Sequence, residues 1–417
     1  MSSSLNIILL SGGSGKRLWP LSNDVRSKQF IPIFKLEDGT YESMVQRVFR
    51  QIRTVAPDAV VTVATSDSQV SSIRKQLGDS VSISVEPCRR DTFPAIALTS
   101  AYLHDIQGVA EDEAVVVCPV DPFVNDDYFE ALKRLSDLAR TGTSNLTLMG
   151  IEPTYPSSKY GYIIPADNGP VSMVKTFKEK PTEAVAAEYI AQGALWNGGV
   201  FAYRLGYVLK RAQELIGFSD YRQLFSRFGE LKKISFDYAV VEHEPAISVM
   251  RFSGMWKDLG TWNTLTEEMT GPVMGNAVLG TDCEGVNVIN ELNIPVLCMG
   301  LKDVIVAASP DGILVTEKES SAHIKPFVDG IDRQWGNSRV LDVQPTGMTL
   351  KITLKAGELM SCQGREVWTV MSGDGNVMSD GISRHVGPGD VISIIHGSTY
   401  ELRALSEMTL IVVRLDI

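Results

Sequence analysis

Asn6-Ile7-Ile8-Leu9-Leu10 runs directly into Ser11-Gly12-Gly13-Ser14-Gly15-Lys16-Arg17. The apolar run, with two β-branched residues, predicts a short buried strand. The glycines behind it remove the Cβ atoms that hold a backbone away from a ligand, and their N–H groups can turn toward an anion. Lys16 and Arg17 add positive charge. A strand opening into such a loop is a place to hold phosphate, although a plain turn between strand and helix has the same composition. Two familiar phosphate loops are excluded. A Walker A loop needs glycine five residues before Gly15, where the chain has Leu10, and Ser or Thr where it has Arg17. A dinucleotide fingerprint read from Gly13 and Gly15 needs glycine at Leu18.

Working outward, short apolar runs at 60–64, 81–85, 114–118 and 146–149 predict further strands of an α/β sheet. Amphipathic helices are predicted between them. Met44, Val45, Val48, Phe49 and Ile52 recur at helical spacing. So do Phe129, Leu132, Leu135 and Leu138, behind the capping-type residues Asp126 and Asp127. Ligands of such sheets bind beyond the carboxyl ends of the strands, which would place Asp121 near the glycine loop.

The chain has 417 residues, more than one core normally serves, with 44% hydrophobic and 21% charged residues. A net charge of −11 argues against a nucleic-acid partner. Positive charge is instead concentrated early, at Lys16, Arg17, Arg26 and Lys28. Five scattered cysteines without a C-x-x-C pair fit a reducing compartment. The first apolar run is too short for a signal or a membrane span, so a cytoplasmic protein without membrane partners is expected. Short β runs separated by turns fill 276–316, suiting a small β or β-helix-like segment. After a connector near 325–335, a last all-β module is predicted from runs at 350–354, 367–371, 390–395 and 408–415.

The loop continues into Leu18-Trp19-Pro20-Leu21-Ser22 and Ser27-Lys28-Gln29-Phe30-Ile31-Pro32. Further on come Glu86-Pro87-Cys88-Arg89-Arg90-Asp91-Thr92, Pro119-Val120-Asp121-Pro122, Phe177-Lys178-Glu179-Lys180-Pro181, Trp196-Asn197-Gly198-Gly199, Ser235-Phe236-Asp237-Tyr238-Ala239 and Trp256-Lys257-Asp258-Leu259-Gly260. In this combination and order the chain resembles the sugar-1-phosphate nucleotidyltransferases. It is most similar to the guanylyltransferases that join GTP to mannose 1-phosphate. The resemblance spans residues 5 to about 265. It implies a Rossmann-like, mixed, mostly parallel sheet in a nucleotidyltransferase domain (1–270), then a small β-helix-like segment (271–330). The last module (331–417) resembles the cupin domain of bifunctional isomerase/guanylyltransferases.

The resemblance also implies roles. Arg17 and Lys28 would be catalytic, neutralising phosphate charge. Gly12, Gly13, Ser14, Gly15, Glu86, Asp91 and Thr92 would bind the nucleotide, with Glu86 accepting from the two adjacent donors of guanine. Gly161, Glu179, Lys180 and Asn197 would bind the sugar phosphate. Asp121 and Asp258 would hold Mg²⁺, which accepts hard carboxylates completed by phosphate and water oxygens. Read singly, several of these are ordinary: an Asp after a strand is often a turn former, and Lys180 before Pro181 a surface lysine. Asp237 reads as a brace of the sugar pocket.

Three departures from the family pattern stand out. The chain reads Arg89-Arg90 where the family has Gly-Arg, and Phe93 replaces a small residue; the added guanidinium and ring are expected to crowd the base pocket, leaving another NTP or sugar phosphate as an alternative. A non-catalytic sugar-nucleotide-binding subunit is a further one. In the cupin-like module Glu366 remains, but the only histidines are His385 and His396, so a domain lacking metal ligands is expected. A homo-oligomer is the expected assembly.

Overall fold

The computed structural model describes residues 5–13, 16–23, 26–142, 144–324, 327–328, 336–344, 347–362, 365–379, 381–394 and 399–415. Ser14, Gly15, His396 and most of the 325–335 connector lie outside them, as does the side chain of Lys16. The chain forms two compact units. One comprises residues 1–15 and Asp24–Gly260; the other comprises Lys16–Asn23 and Thr261–Ile417.

The first unit is built on a nine-stranded mixed sheet. Its strands are β1 (Asn6–Leu10), β4 (Val60–Ser66), β5 (Ser82–Glu86), β6 (Ala114–Pro119), β8 (Leu146–Ile151), β9 (Gly161–Pro165), β10 (Val171–Lys178), β11 (Leu195–Arg204) and β12 (Ile247–Phe252). Two two-stranded ribbons complete the set: β2 (Pro32–Lys35) with β3 (Tyr41–Ser43), and β7 (Pro122–Val124) with β13 (Trp256–Asp258). The order is β5-β4-β1-β6-β11-β8-β12-β10-β9. β5, β4, β1 and β6 run parallel, whereas β11 runs antiparallel to β6, β8 and β9. The strands predicted from apolar runs all form, and the central ones are buried on both faces, as such runs require.

Helix α1 (Met44–Val55) starts at a capping box. Gln46 N donates to Ser43 Oγ at 3.3 Å and Ser43 N donates to Gln46 Oε1 at 3.0 Å. It is followed by α2 (Asp67–Leu77), α3 (Thr92–Asp105) and α4 (Asp126–Thr141). In α4 the cap position is Asn125; Asp126 and Asp127, expected as caps, lie in the first turn, where their charge complements the helix dipole. Helix α3 has no amphipathic pattern because ten of its residues are buried, packed between the sheet and the helices Leu205–Ile216 and Phe236–Ala239.

In the second unit, strands Val273–Gly275, Asn287–Asn290 and Val304–Ser309 pair in parallel, and Gly312–Glu317 closes the sheet antiparallel. The segment Lys16–Asn23 packs here. Trp19 O accepts from Trp262 Nε1 at 3.2 Å, Pro20 O from Ser309 Oγ at 2.7 Å, and Asp311 Oδ2 from Asn23 Nδ2 at 2.5 Å. The last module is all-β, with a five-stranded and a four-stranded sheet enclosing one core around Trp368, Leu402 and Val412. This is the arrangement expected of a cupin-like domain. No helix among the described residues is long and apolar enough to cross a membrane.

Candidate active site

The loop after β1 leaves the sheet beside the end of β6, since Leu10 pairs with Pro119. Its carbonyls are held inward. Gly13 O accepts from Ser27 Oγ at 2.6 Å, and Ser27 Oγ accepts from Gln69 Nε2 at 2.6 Å. Ser11 O accepts from Gln29 Nε2 at 3.3 Å. Thr65 Oγ1 fixes Gln69 through Oε1 at 2.9 Å. Ser11, Ser27, Gln29, Thr65 and Gln69 are all buried. This brace was not anticipated, because buried polar partners from three chain segments share no spacing. Among the described residues, a Cβ at Gly12 or Gly13 would meet no atom beyond its chain neighbours within 4 Å, so the open side of the loop is unobstructed there.

Asp121 lies two residues beyond the end of β6, and the ribbon β7–β13 brings Asp258 to it, with Asp258 opposite Pro122. Lys28 Nζ lies 2.8 Å from Asp121 Oδ2 and 3.7 Å from Asp258 Oδ1. Helix α1 clamps the ribbon from behind. The Arg47 guanidinium sits 4.4 Å from the Phe123 ring centroid and donates to Val124 O at 3.3 Å, while Gln51 Nε2 donates to the same oxygen at 3.1 Å. Two carboxylates that share one cation are a donor set suited to a divalent ion with oxygen ligands.

A cavity of about 180 Å³ opens between Asp121, Asp258, Tyr160, Trp256 and Asn197. Tyr160 packs on Trp196 and Trp256 with centroids 4.9 and 5.4 Å apart, and its burial, together with nearby Asp258, raises the phenol pKa. The buried Trp256 indole N–H has no acceptor among the described residues.

The sugar-phosphate candidates converge. Asn197 on β11 lies opposite Gly161 on β9, next to a break in the β11–β8 register. A Cβ on Gly161 would come 2.5 Å from Glu179 Oε2 and 3.4 Å from Asn197 Cβ. Asn197 Nδ2 donates to Asp237 Oδ1 at 2.7 Å, so Asp237 holds the Asn197 amide in place. Burial, then the neighbouring Glu179, pushes Asp237 up to about 6. Lys180 pairs with Glu179 at 2.5 Å, a bond that raises the lysine pKa. Its backbone takes φ +43°, a conformation unusual for a residue with a Cβ and one that clusters at functional sites.

Glu86 ends β5 with 6% exposure, and desolvation pushes its carboxyl up to about 7 despite Arg89. Asp91 caps α3, accepting from Thr92 N at 2.8 Å, and Thr92 Oγ1 accepts from Phe236 N at 2.8 Å. Their side chains thus also pin the start of α3 and the short helix bearing Asp237. Crowding of the candidate base site by Phe93 is corrected: its ring is buried in the main core because α3 turns it inward. Arg89, the added guanidinium, lies close enough to Glu86 to pull its carboxyl pKa down, and the Arg90 guanidinium bonds Gly229 O. Arg17 is exposed on the short turn Lys16–Leu18 of the second unit. In the last module both Glu366 oxygens are engaged, by Trp368 Nε1 and Arg414 Nε, each at 2.6 Å. His385 is exposed on a strand of the other sheet.

Residues 6–271 match the nucleotidyl transferase family, and the chain belongs to it. It is 28% identical to mannose-1-phosphate guanylyltransferase of Escherichia coli K12, over 95% of this chain and 92% of that one. It is 30% identical to xanthan biosynthesis protein XanB of Xanthomonas campestris pv. campestris, over 89% and 86%. A crystal structure of mannose-1-phosphate geranyltransferase from Thermus thermophilus superposes with a TM-score of 0.66 at 27% identity, covering 79% of this chain and 99% of that one.

Proposed function

We propose that the chain transfers a guanylyl group from GTP to mannose 1-phosphate, giving GDP-mannose and pyrophosphate. A sugar-phosphate oxygen forms a bond to the α-phosphorus of GTP, and the bond from that phosphorus to the bridging oxygen of the leaving pyrophosphate breaks. Two anions must meet, so positioning and charge neutralisation carry the catalysis. The observation that carries this reading is one cavity lined by both the Asp121–Asp258 pair and Asn197 of the sugar-phosphate cluster.

In this reading the braced loop at Gly12 and Gly13, continuing through Ser14 and Gly15, presents amides to the triphosphate. Lys28 and Arg17 neutralise phosphate charge. Glu86 as a carboxylate accepts from guanine, beside Asp91 and Thr92. Glu179 and Asn197, next to the Gly161 backbone, take sugar hydroxyls, and Lys180 the sugar's phosphate. Asp121 and Asp258 would hold Mg²⁺, which when bound supplies charge to the reacting phosphate oxygens. The name of the Escherichia coli relative, a mannose-1-phosphate guanylyltransferase, supports this reading.

A pyrophosphate-release panel over the four NTPs and several sugar 1-phosphates tests the reading. GTP with mannose 1-phosphate should be turned over fastest, and Asp121→Asn and Asp258→Asn should abolish it with the fold intact. Preference for another pair would reassign the substrates. Full activity in both variants would remove the carboxylates from the mechanism.

A further inference from the structure

We propose that Lys28 and the divalent cation are alternative partners of the same carboxylate pair, so that metal and triphosphate binding are coupled through one lysine. The inference rests on the reading of Asp121 and Asp258 as metal ligands. The Lys28 ammonium lies within 4 Å of both carboxylates. Its side chain is 15% exposed, against 38% and 37% for the aspartates, so the lysine is the most buried side chain of the trio. An ammonium and a divalent ion cannot share that position, because each repels the other at contact distance and both draw on the same two negative charges.

Lys28 is also tied to the loop that would receive the triphosphate. Its neighbours on either side, Ser27 and Gln29, donate to the carbonyls of Gly13 and Ser11. An anion seated on the loop would offer the ammonium a second set of oxygens. When Lys28 swings to the triphosphate, the carboxylates are released to a metal. When it swings back, they are neutralised again. Lys28 would therefore do two jobs in sequence: counter-ion to the aspartates, then clamp on the phosphates. Linkage makes the coupling reciprocal, so triphosphate strengthens metal binding by the same factor that metal strengthens triphosphate binding.

Mn²⁺ binding to the full chain without nucleotide, followed by the paramagnetic resonance of the free ion, tests this directly. Lys28→Met should bind Mn²⁺ about tenfold more tightly than the wild type, the usual scale of such coupling. Lys28→Arg, which keeps the charge, should show no gain. Lys28→Gln serves in place of the methionine variant should that fail to fold. Equal or weaker Mn²⁺ binding in the neutral variants, or none across the millimolar range, overturns the proposal. Asp258→Asn separates it from the reading beneath: tight Mn²⁺ binding that survives this change refutes the carboxylate assignment itself.

Discussion

Gly161→Ala places a methyl group where the strand has room for none. The new Cβ would sit 2.5 Å from Glu179 Oε2 and 3.0 Å from Phe177 Cζ, whereas ordinary contact begins near 3.4 Å. The Glu179 carboxylate must retreat by about 1 Å, and its partner Lys180 with it. Because the nearer obstacle is the end of a flexible side chain and Gly161 has no positive φ, the fold should lose only about 1 kcal/mol, the low end of overpacking. Position is another matter. A displacement of that size in a group that positions the substrate costs about a hundredfold in rate, or ~2.7 kcal/mol. Steady-state kinetics with varied mannose 1-phosphate should show kcat/KM reduced by about that factor, with the KM for GTP unchanged. A folded variant with unaltered kinetics toward the sugar phosphate would refute the placement of Glu179 in the site.

Further predictions concern the base pocket, the loop and the last module. Glu86, held near 7, is about nine-tenths ionised at pH 8 and one-tenth at pH 6, so kcat/KM for GTP should fall roughly tenfold between them and Glu86→Gln should flatten the profile. The same shift acts on stability. The folded pKa lies above the unfolded one, so the contribution is whole below about pH 4.5 and is lost as pH rises through 7; urea titrations should show a smaller loss in Glu86→Gln. Ser27→Ala removes the donor to Gly13 O and the acceptor of Gln69, costing about 1–3 kcal/mol by chemical denaturation and raising the KM for GTP; an unchanged KM would detach the brace from nucleotide binding. Arg414→Ala leaves the buried Glu366 with Trp368 alone and should cost about 3 kcal/mol in the last module, the low end for a broken buried pair because Arg414 is half-exposed. Calorimetry showing no shift would make that ion pair inconsequential.

What could be read in the sequence follows from what leaves a linear trace. The strands at Asn6–Leu10 and Ala114–Pro119 are continuous apolar runs, and α1 carries its period openly. The motif residues stood out because their types and their order match the family pattern over residues 6–271. Helix α3 had no period to trace it for the opposite reason: buried almost all round, it has no polar face to set one. Phe93 looked like a residue of the base pocket because its neighbours in sequence are motif residues, yet one step along a helix turns a side chain by about 100° and delivered it to the core. The brace of Ser27, Gln29, Thr65 and Gln69 and the clamp of Arg47 and Gln51 depend on three-dimensional meeting alone. Their residues are unremarkable in type, and nothing in their spacing announces a partner.

The packing of Lys16–Asn23 bears on how the chain can be cut. A fragment ending at Gly260 would keep the braced glycines and both aspartates. It would lose Trp262, Ser309 and Asp311, the residues bonded to the Trp19 and Pro20 carbonyls and to the Asn23 amide. A cut at residue 271, where the family match stops, restores Trp262 but neither of the others. Arg17 would then ride on a stretch stripped of most of its moorings. With the Trp19 ring lying against Gly312, the shortest excised enzyme that keeps this stretch seated must run past Gly312, well beyond residue 271.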